Sequence, residues 1–144
     1  MHDDISTQYP LLDSPDPQQD IPTRFRYVAR KLLDHPAIVD ESGTTSYTNL
    51  DIKSDHLAAR LVACFGDKPE PVALLLPRNV LATIGILGVL KAGKFYVPLD
   101  PLTETGAQRI VLQTSTAQIL LTSSDLLPIA QSFTPAETQT IVLD

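Results

Sequence analysis

Short apolar runs alternate with segments of helical periodicity in the second half of the sequence, and this alternation limits the fold more than any other feature. The runs cover residues 71–76, 95–99, 118–122 and 140–143, and stretches with helical spacing separate them. Strands that are apolar on both faces are typical of parallel sheets covered by helices on each side. The pattern therefore predicts an α/β fold, with a Rossmann-like parallel sheet and flanking helices.

Two helices and a hairpin are predicted before this alternation begins. Thr23 is expected to cap the first helix, and residues 37–47 read as a small hairpin around a turn. Thr48 and Asp51 resemble a capping box for the second helix. Gly66 is placed to close that helix in the left-handed conformation.

The segment 79–92 is predicted to be the central helix of the fold. It is apolar nearly all the way round, which is typical of a buried helix. Gly85 and Gly88 lower its helix propensity, so we expect them to permit close approach of another part of the chain.

Charge divides the sequence into a leader and a body. The chain has 144 residues, about one domain, and a formal net charge of −6. Residues 1–22 contain five aspartates and four prolines but no Lys or Arg, so they are expected to form a flexible acidic leader. Residues 23–144 are close to neutral and form the predicted domain. A surface dominated by carboxylates repels phosphate backbones, whose binding depends on clustered Lys and Arg, so nucleic acid is not an expected partner.

Nothing in the sequence predicts secretion or membrane insertion. The leader has no basic start followed by an apolar core, so it is not a signal peptide. The longest strongly apolar stretch, Val80–Leu90, is far shorter than the roughly 20 residues that span a bilayer. Cys64 is the single cysteine, cannot form an intrachain disulfide, and is expected to be a small core residue. A cytoplasmic location is therefore expected.

Two local patterns raise the possibility of phosphate binding. Residues 88–94 carry the G-x-x-x-x-G-K pattern, but a helix leads into them and Phe95 stands where a P-loop needs Ser or Thr. Gly93 is instead predicted to end the helix. Residues 122–125 join a strand to a helix, and an N-cap is favoured over a phosphate site because no glycine lets the backbone approach a ligand.

Asp100 lies just past a strand, where open parallel sheets place their ligands. Followed by Pro101, it is better explained as a turn residue. The three histidines, His2, His35 and His56, lack metal-ligand spacing. No catalytic, cofactor-binding or metal site is therefore predicted in this chain.

Residues 90–101, which read Leu-Lys-Ala-Gly-Lys-Phe-Tyr-Val-Pro-Leu-Asp-Pro, resemble the second core motif of the adenylation domains of nonribosomal peptide synthetases. These domains belong to the adenylate-forming superfamily of AMP-dependent synthetases and ligases. Residues 45–50 are similar to the first core motif, with Asn49 where Glu is common. The resemblance extends in order over roughly residues 21–144, so it implies the N-terminal part of such a domain. The motif residues, expected to be structural, are Tyr47, Leu50, Leu90, Lys91, Ala92, Gly93, Tyr96, Val97, Pro98, Leu99, Asp100, Pro101 and Arg109.

The resemblance also implies what the complete enzyme does. It would form an aminoacyl-AMP from ATP with Mg²⁺, release pyrophosphate, and transfer the amino acid to the phosphopantetheine of a carrier domain. The phosphate loop and the adenylating lysine of the family are not found in these residues, so the chain alone is expected to be inactive. Its partners would be the remainder of the domain, a carrier domain and an amino acid. Self-association through an exposed sheet edge is also expected.

Two alternatives remain open at this point. The chain could be part of an acyl-CoA or acyl-carrier ligase, although such enzymes more often have Asn before the proline of residues 96–101. It could also be a truncated, stand-alone binding domain without catalytic activity.

Overall fold

A four-stranded parallel sheet lies at the centre of the computed structural model, which describes residues 18–144. Most of the predicted leader, residues 1–17, lies outside the described residues. In chain order the elements are α1 (Ile21–Leu32), β1 (Pro36–Asp40), β2 (Gly43–Ser46), α2 (Tyr47–Phe65), β3 (Pro71–Leu75), α3 (Val80–Lys91), β4 (Phe95–Pro98), α4 (Thr105–Ser115), β5 (Ile119–Thr122), α5 (Leu127–Phe133) and β6 (Gln139–Val142).

The sheet has the strand order β4-β3-β5-β6, and all neighbouring pairs are parallel. β3 is central, with Val72 level with Tyr96 of β4 and with Ile119 of β5. β1 and β2 form a separate antiparallel hairpin. The predicted Rossmann-like α/β architecture is thus confirmed, because helices connect successive parallel strands.

Helices cover both faces of the sheet. Alternate residues of β3 point to opposite faces: Val72 and Leu74 belong to the cluster formed with α2 and α3, and Ala73 and Leu75 to the cluster formed with α4 and α5. Phe133 of α5 is among the largest fully buried side chains. This two-sided burial explains why the strand sequences are continuously apolar.

The two glycines of α3 permit close packing, as predicted. A Cβ atom added to Gly88 would lie 2.6–2.9 Å from three side-chain carbons of Leu57 in α2. One added to Gly85 would lie 2.6 Å from Cδ1 of Leu76. α3 can therefore lie directly against α2 on one side and against the sheet on the other.

Both predicted helix caps are wrong by a few residues. The carboxylate of Asp20 accepts a hydrogen bond of 2.8 Å from the N–H of Thr23, so Asp20 caps α1 and Thr23 lies inside it. Ser46 accepts one of 3.2 Å from Asn49 and caps α2, which places Thr48 within the helix. Both true caps are extended residues whose side chains reach an N–H three positions later.

Three predictions of conformation and burial have mixed outcomes. Gly66 ends α2 with a φ of +75°, as expected, but its ψ of −176° lies outside the left-handed helical region, so the predicted left-handed conformation is wrong. Tyr96, expected in a buried strand, is 38% exposed because β4 is at the side of the described sheet, whereas Leu99 is buried. Cys64 is exposed rather than part of the core, because it lies at the margin of the buried face of α2 that contains Leu57 and Leu61.

Within the described residues, none of the helices combines the length and the apolar character that crossing a membrane requires.

Candidate functional site

The direction of strand addition reverses at β3, which creates the place where open parallel sheets bind ligands. β3 connects through α3 to β4 on one side, and β4 connects through α4 back past β3 to β5 on the other. Crevices at such reversals open at the carboxyl ends of the strands. Residues 77–79 leave β3 there and residues 123–124 leave β5. We call this region the carboxyl edge and treat it as the candidate functional site.

The N-terminus of α3 at the carboxyl edge is occupied by the protein's own side chains. Oδ1 of Asn79 accepts a hydrogen bond of 2.9 Å from the N–H of Leu81, and Oδ2 of Asp40 accepts one of 2.8 Å from the N–H of Val80. Hydrogen bonds from Ser42 and from Val80 lower the pKa of Asp40. Free N–H groups at a helix start can bind phosphate, but here a carboxylate already takes that place.

Asp100 folds the loop that follows β4. Its Oδ1 accepts a hydrogen bond of 3.0 Å from the N–H of Leu102, and its carbonyl accepts one of 2.9 Å from Thr103. Gln108 donates to the same carbonyl at 2.9 Å. The guanidinium of Arg78 lies 3.9 Å from the carboxylate in an exposed ion pair, which contributes little to stability. Asp100 is thus a turn residue, as predicted.

The hydroxyl-rich segment 122–125 does not cap the helix that follows it, so that prediction is wrong. Leu126 occupies the cap position of α5, and no side chain there bonds to the helix. The N–H of Ser124 instead donates a 2.7 Å hydrogen bond to Oδ1 of Asp144 at the end of β6. That bond is the main reason why the pKa of Asp144 is lowered. The segment therefore connects the ends of β5 and β6.

Three buried polar atoms at the carboxyl edge have no hydrogen-bond partner among the described residues. They are Oγ1 of Thr122, Oγ of Ser123 and Oε1 of Gln108. Sequence reasoning missed Gln108 entirely, since a glutamine in a helix start gives no signal that it is buried. Buried polar groups of this kind ordinarily bind internal water.

A buried lysine joins the ends of α2 and α3. The side chain of Lys91 is 1% exposed, and its Nζ donates to carboxylate oxygens of Asp51 at 2.6 Å and Asp55 at 2.8 Å. It also lies 5.4 Å from the ring centre of Phe25 in α1. Burial raises the pKa of Asp55, but the charges and hydrogen bonds of Lys91 and Arg26 outweigh this effect, so the pKa is lowered overall.

The G-x-x-x-x-G-K segment forms a helix end and not a phosphate loop. Gly93 has a φ of +70° just after α3, and the N–H of Lys94 donates to the carbonyl of Val89 at 3.1 Å. The buried Nζ of Lys94 donates to Glu70 at 2.7 Å and to the carbonyl of Lys68 at 3.0 Å. Lys94 therefore bonds to the residues just before β3. The prediction that Gly93 ends the helix is confirmed.

In the part of the chain from residue 18 onward, no three His, Cys, Asp or Glu side chains are grouped so that they could hold a metal ion. The carboxylates of Asp40 and Asp100 at the carboxyl edge accept hydrogen bonds from the main chain. In the Lys91 cluster, the ammonium bonds to Asp51 and Asp55.

Comparison with known proteins relates this arrangement to a family. The family model described as "AMP-binding enzyme" matches residues 25–144. This chain belongs to the AMP-binding enzyme family.

Its relatives in this family include nonribosomal peptide synthetases. Gramicidin S synthase 2 of Brevibacillus brevis is 36% identical over 125 residues, which are 86% of this chain and 3% of the relative. A nonribosomal peptide synthetase solved with bound α-methyl-L-serine-AMP superposes with a TM-score of 0.82 at 24% identity, over 91% of this chain and 15% of that one. A benzoate CoA ligase from Burkholderia xenovorans gives a TM-score of 0.79 at 22% identity, over 86% of this chain and 26% of that one.

The chain thus spans only a small part of the relatives it matches. It corresponds to an N-terminal portion of the adenylate-forming fold, and its homologues are adenylation domains of peptide synthetases. At these identities the two solved structures show the fold alone.

The two segments that resemble core motifs, residues 45–50 and 90–101, lie close together in the structure. The first includes Tyr47, which starts α2 and lies 6.2 Å from the ring of Phe25, and Leu50, which is buried. The second includes Lys91, whose ammonium bonds to Asp51, the residue directly after the first motif. Sequence reasoning did not predict this contact, because 40 residues separate the two partners.

The other residues named from the resemblance build the connection from α3 through β4 to α4. Leu90 and Ala92 end α3, Gly93 reverses the chain, and Pro101 follows the Asp100 turn. Nε of Arg109 donates to the carbonyl of Phe133 at 3.2 Å, which joins α4 to α5. Tyr96, Val97 and Pro98 form β4, and the N–H of Leu99 donates to the carbonyl of Leu74.

Proposed function

We propose that this chain is the N-terminal scaffold of an adenylation domain that activates an amino acid for nonribosomal peptide synthesis. The observation that carries the proposal is the bond from Lys91, in the segment that resembles the second core motif, to Asp51, which directly follows the segment that resembles the first, in a chain whose relatives are peptide synthetases. The complete enzyme would convert ATP and an amino acid to an aminoacyl-AMP and pyrophosphate. It would then transfer the amino acid to the phosphopantetheine thiol of a carrier domain.

The described residues do not fit ATP and Mg²⁺ by themselves. The start of α3 already holds the carboxylate of Asp40, and Lys94 is buried against Glu70. Asp100 follows β4 at the carboxyl edge, and its oxygens are used by a turn and by Arg78. We therefore assign nucleotide binding and catalysis to the remainder of the domain, and expect this chain alone to catalyse no ATP–pyrophosphate exchange.

The names of the relatives favour an amino-acid-activating peptide synthetase over an acyl-CoA ligase. Gramicidin S synthase 2 and surfactin synthase subunit 1 are 36% and 38% identical to this chain. The benzoate CoA ligase shares the fold at 22% identity, which does not discriminate between substrates. A cytoplasmic location belongs to this proposal, and the single cysteine, which needs no oxidising compartment, supports it.

A chimera tests the scaffold role. Residues 25–144 replace the matched segment of gramicidin S synthase 2, and amino-acid-dependent ATP–pyrophosphate exchange is measured. We expect the chimera to keep the exchange activity and the amino-acid preference of its host, because substrate selection is assigned to residues outside the replaced segment.

The matched control is the same chimera with Gly88→Leu, which forces α2 and α3 apart and should abolish exchange. The free chain of 144 residues should show no exchange above buffer. A chimera that folds but supports no exchange with any amino acid would contradict the scaffold role. Exchange by the free chain would contradict the assignment of catalysis to the remainder.

A further inference from the structure

The outer face of α1 is basic. Arg24, Arg30 and Lys31 surround Tyr27 on this face, because residues three and four apart lie side by side on a helix, and Tyr27 is 43% exposed. The guanidinium of Arg24 lies 5.4 Å from the centre of the tyrosine ring, and the ammonium of Lys31 lies 6.0 Å from it. α1 contains no Asp or Glu, so this surface, which we call the basic face, has a net positive charge.

Two cations of the basic face have no ion pair within residues 18–144. Arg30 and Lys31 are both exposed, and the ion pairs of this part of the chain include neither of them. Asp34 follows Arg30 by four residues but pairs with neither cation. Arg26, the fourth cation of α1, is instead engaged with Asp55 of α2 at 3.3 Å. A carboxylate that reaches the basic face would therefore find Arg30 and Lys31 without a counter-ion.

The segment that precedes α1 has the opposite charge and a suitable length. Residues 3–16 contain four aspartates and no Lys or Arg. Asp13 comes seven residues before Asp20, the cap of α1, and a chain of seven residues without secondary structure typically spans about 15 Å. Arg30 comes ten residues after Asp20, which is also about 15 Å along a helix. Contact between two tethered groups is most favourable when the tether matches the distance between their sites.

We propose that the acidic segment 3–16 binds the basic face of α1 within the same chain. Asp13 contacts the guanidinium of Arg30 and the ammonium of Lys31, and the two leucines before it contact the exposed ring of Tyr27. Single exposed ion pairs are weak, so the contact forms and breaks rapidly and is sensitive to salt. The segment thus screens the basic face, and an acidic partner of α1 has to displace it. This contact does not depend on the proposed catalytic role.

Paramagnetic broadening in NMR spectra tests the contact in the chain of 144 residues. A nitroxide is attached at Ser14→Cys after the exposed Cys64 is replaced by Ser. We expect it to broaden the amide signals of Arg30 and Lys31. Sodium chloride at 1 M shortens the screening length to about 3 Å and should reduce this broadening at least about twofold. The amide of Thr23, near the point where the segment joins α1, should stay broadened and is the internal reference.

Exchange of charges tests which side chains make the contact. Arg30→Glu and Asp13→Arg should each reduce the broadening at Lys31 at least about twofold, because each brings like charges together. The double variant should restore the broadening, since the pair is again of opposite sign. Arg60→Glu, the same change at an exposed position of α2, should leave the broadening unchanged.

A mixed sample distinguishes contact within one chain from contact between two chains. Chains that carry ¹⁵N but no nitroxide are mixed with chains that carry the nitroxide but no ¹⁵N, and no broadening should appear. The proposal is overturned if the broadening at Lys31 does not fall in 1 M salt, if the double variant does not restore it, or if the mixed sample shows it. Broadening in the mixed sample would place the acidic segment on the basic face of a second copy.

Discussion

Gly88→Ala should destabilise the fold by separating α3 from α2. The new Cβ would lie 2.6 Å from Cδ2, 2.7 Å from Cγ and 2.9 Å from Cβ of Leu57. A rotation of the leucine cannot relieve all three contacts, because its own Cβ is fixed to the backbone of α2. Overpacking of this kind costs about 1–3 kcal/mol, and alanine returns about 1 kcal/mol of helix propensity. We expect a net loss of up to about 2 kcal/mol in the free energy of unfolding.

Gly85→Ala, three residues earlier in the same helix, is the matched control. Its Cβ would lie 2.6 Å from Cδ1 of Leu76, which is the far end of a flexible side chain, and its next neighbours are in ordinary contact at 3.7 and 3.8 Å. A shifted rotamer costs about 0.5–1.5 kcal/mol, which the propensity gain of about 1 kcal/mol offsets. This variant should be close to neutral.

Urea denaturation followed by circular dichroism measures both variants. The midpoint of Gly88→Ala should fall well below that of Gly85→Ala, with similar slopes. In the double variant Leu57→Ala with Gly88→Ala, the losses should be less than additive, because the smaller side chain makes room for the new methyl group. Equal midpoints for the two glycine variants would refute the argument from close helix packing.

Two further predictions concern the Lys91 cluster, and one concerns Lys94. Lys91→Met should lower the free energy of unfolding by about 1–3 kcal/mol, since it leaves the carboxylate of Asp51 without its cation; an unchanged urea midpoint near neutral pH would contradict this. The pKa of Asp55 is lower when folded, so its stabilisation is complete above about pH 5 and is lost as the pH falls through the carboxyl range. Asp55→Asn should therefore lose less stability on acidification than the parent. An identical dependence of stability on pH in the two proteins would contradict a stabilising role of the ionised Asp55. Lys94→Ala should lower the melting temperature, because Glu70 loses its partner, without changing the heat of ATP titration; a large change in that heat would support a nucleotide role.

The fold could be predicted from the sequence because its strands and its central helix have unambiguous patterns. The apolar runs are continuous and the stretches between them have helical spacing, so β3 to β6 and α3 were each predicted within a residue or two. The glycines of α3 indicated a close approach, although only the structure identifies Leu57 and Leu76 as the neighbours.

The predictions that failed depend on three-dimensional placement. Asp20 and Thr23, or Ser46 and Thr48, are all suitable cap residues, and the choice depends on which residue is extended before the helix. Tyr96 has the pattern of a buried strand, but its exposure follows from the strand order, which places β4 at the side of the described sheet. The Lys91 cluster joins residues far apart in sequence, so no local pattern could reveal it.

The bond between Asp40 and Val80 ties the tip of the β1–β2 hairpin to the start of α3, in addition to the packing of Ala37 and Ile38 against the core. The first N–H of α3 is protected by a carboxylate that arrives with the β1–β2 hairpin. This amide can therefore exchange with solvent deuterium when the hairpin swings away, even if α3 itself stays helical. The rate of exchange at Val80 consequently reports how often the hairpin detaches from the sheet domain, without any added label.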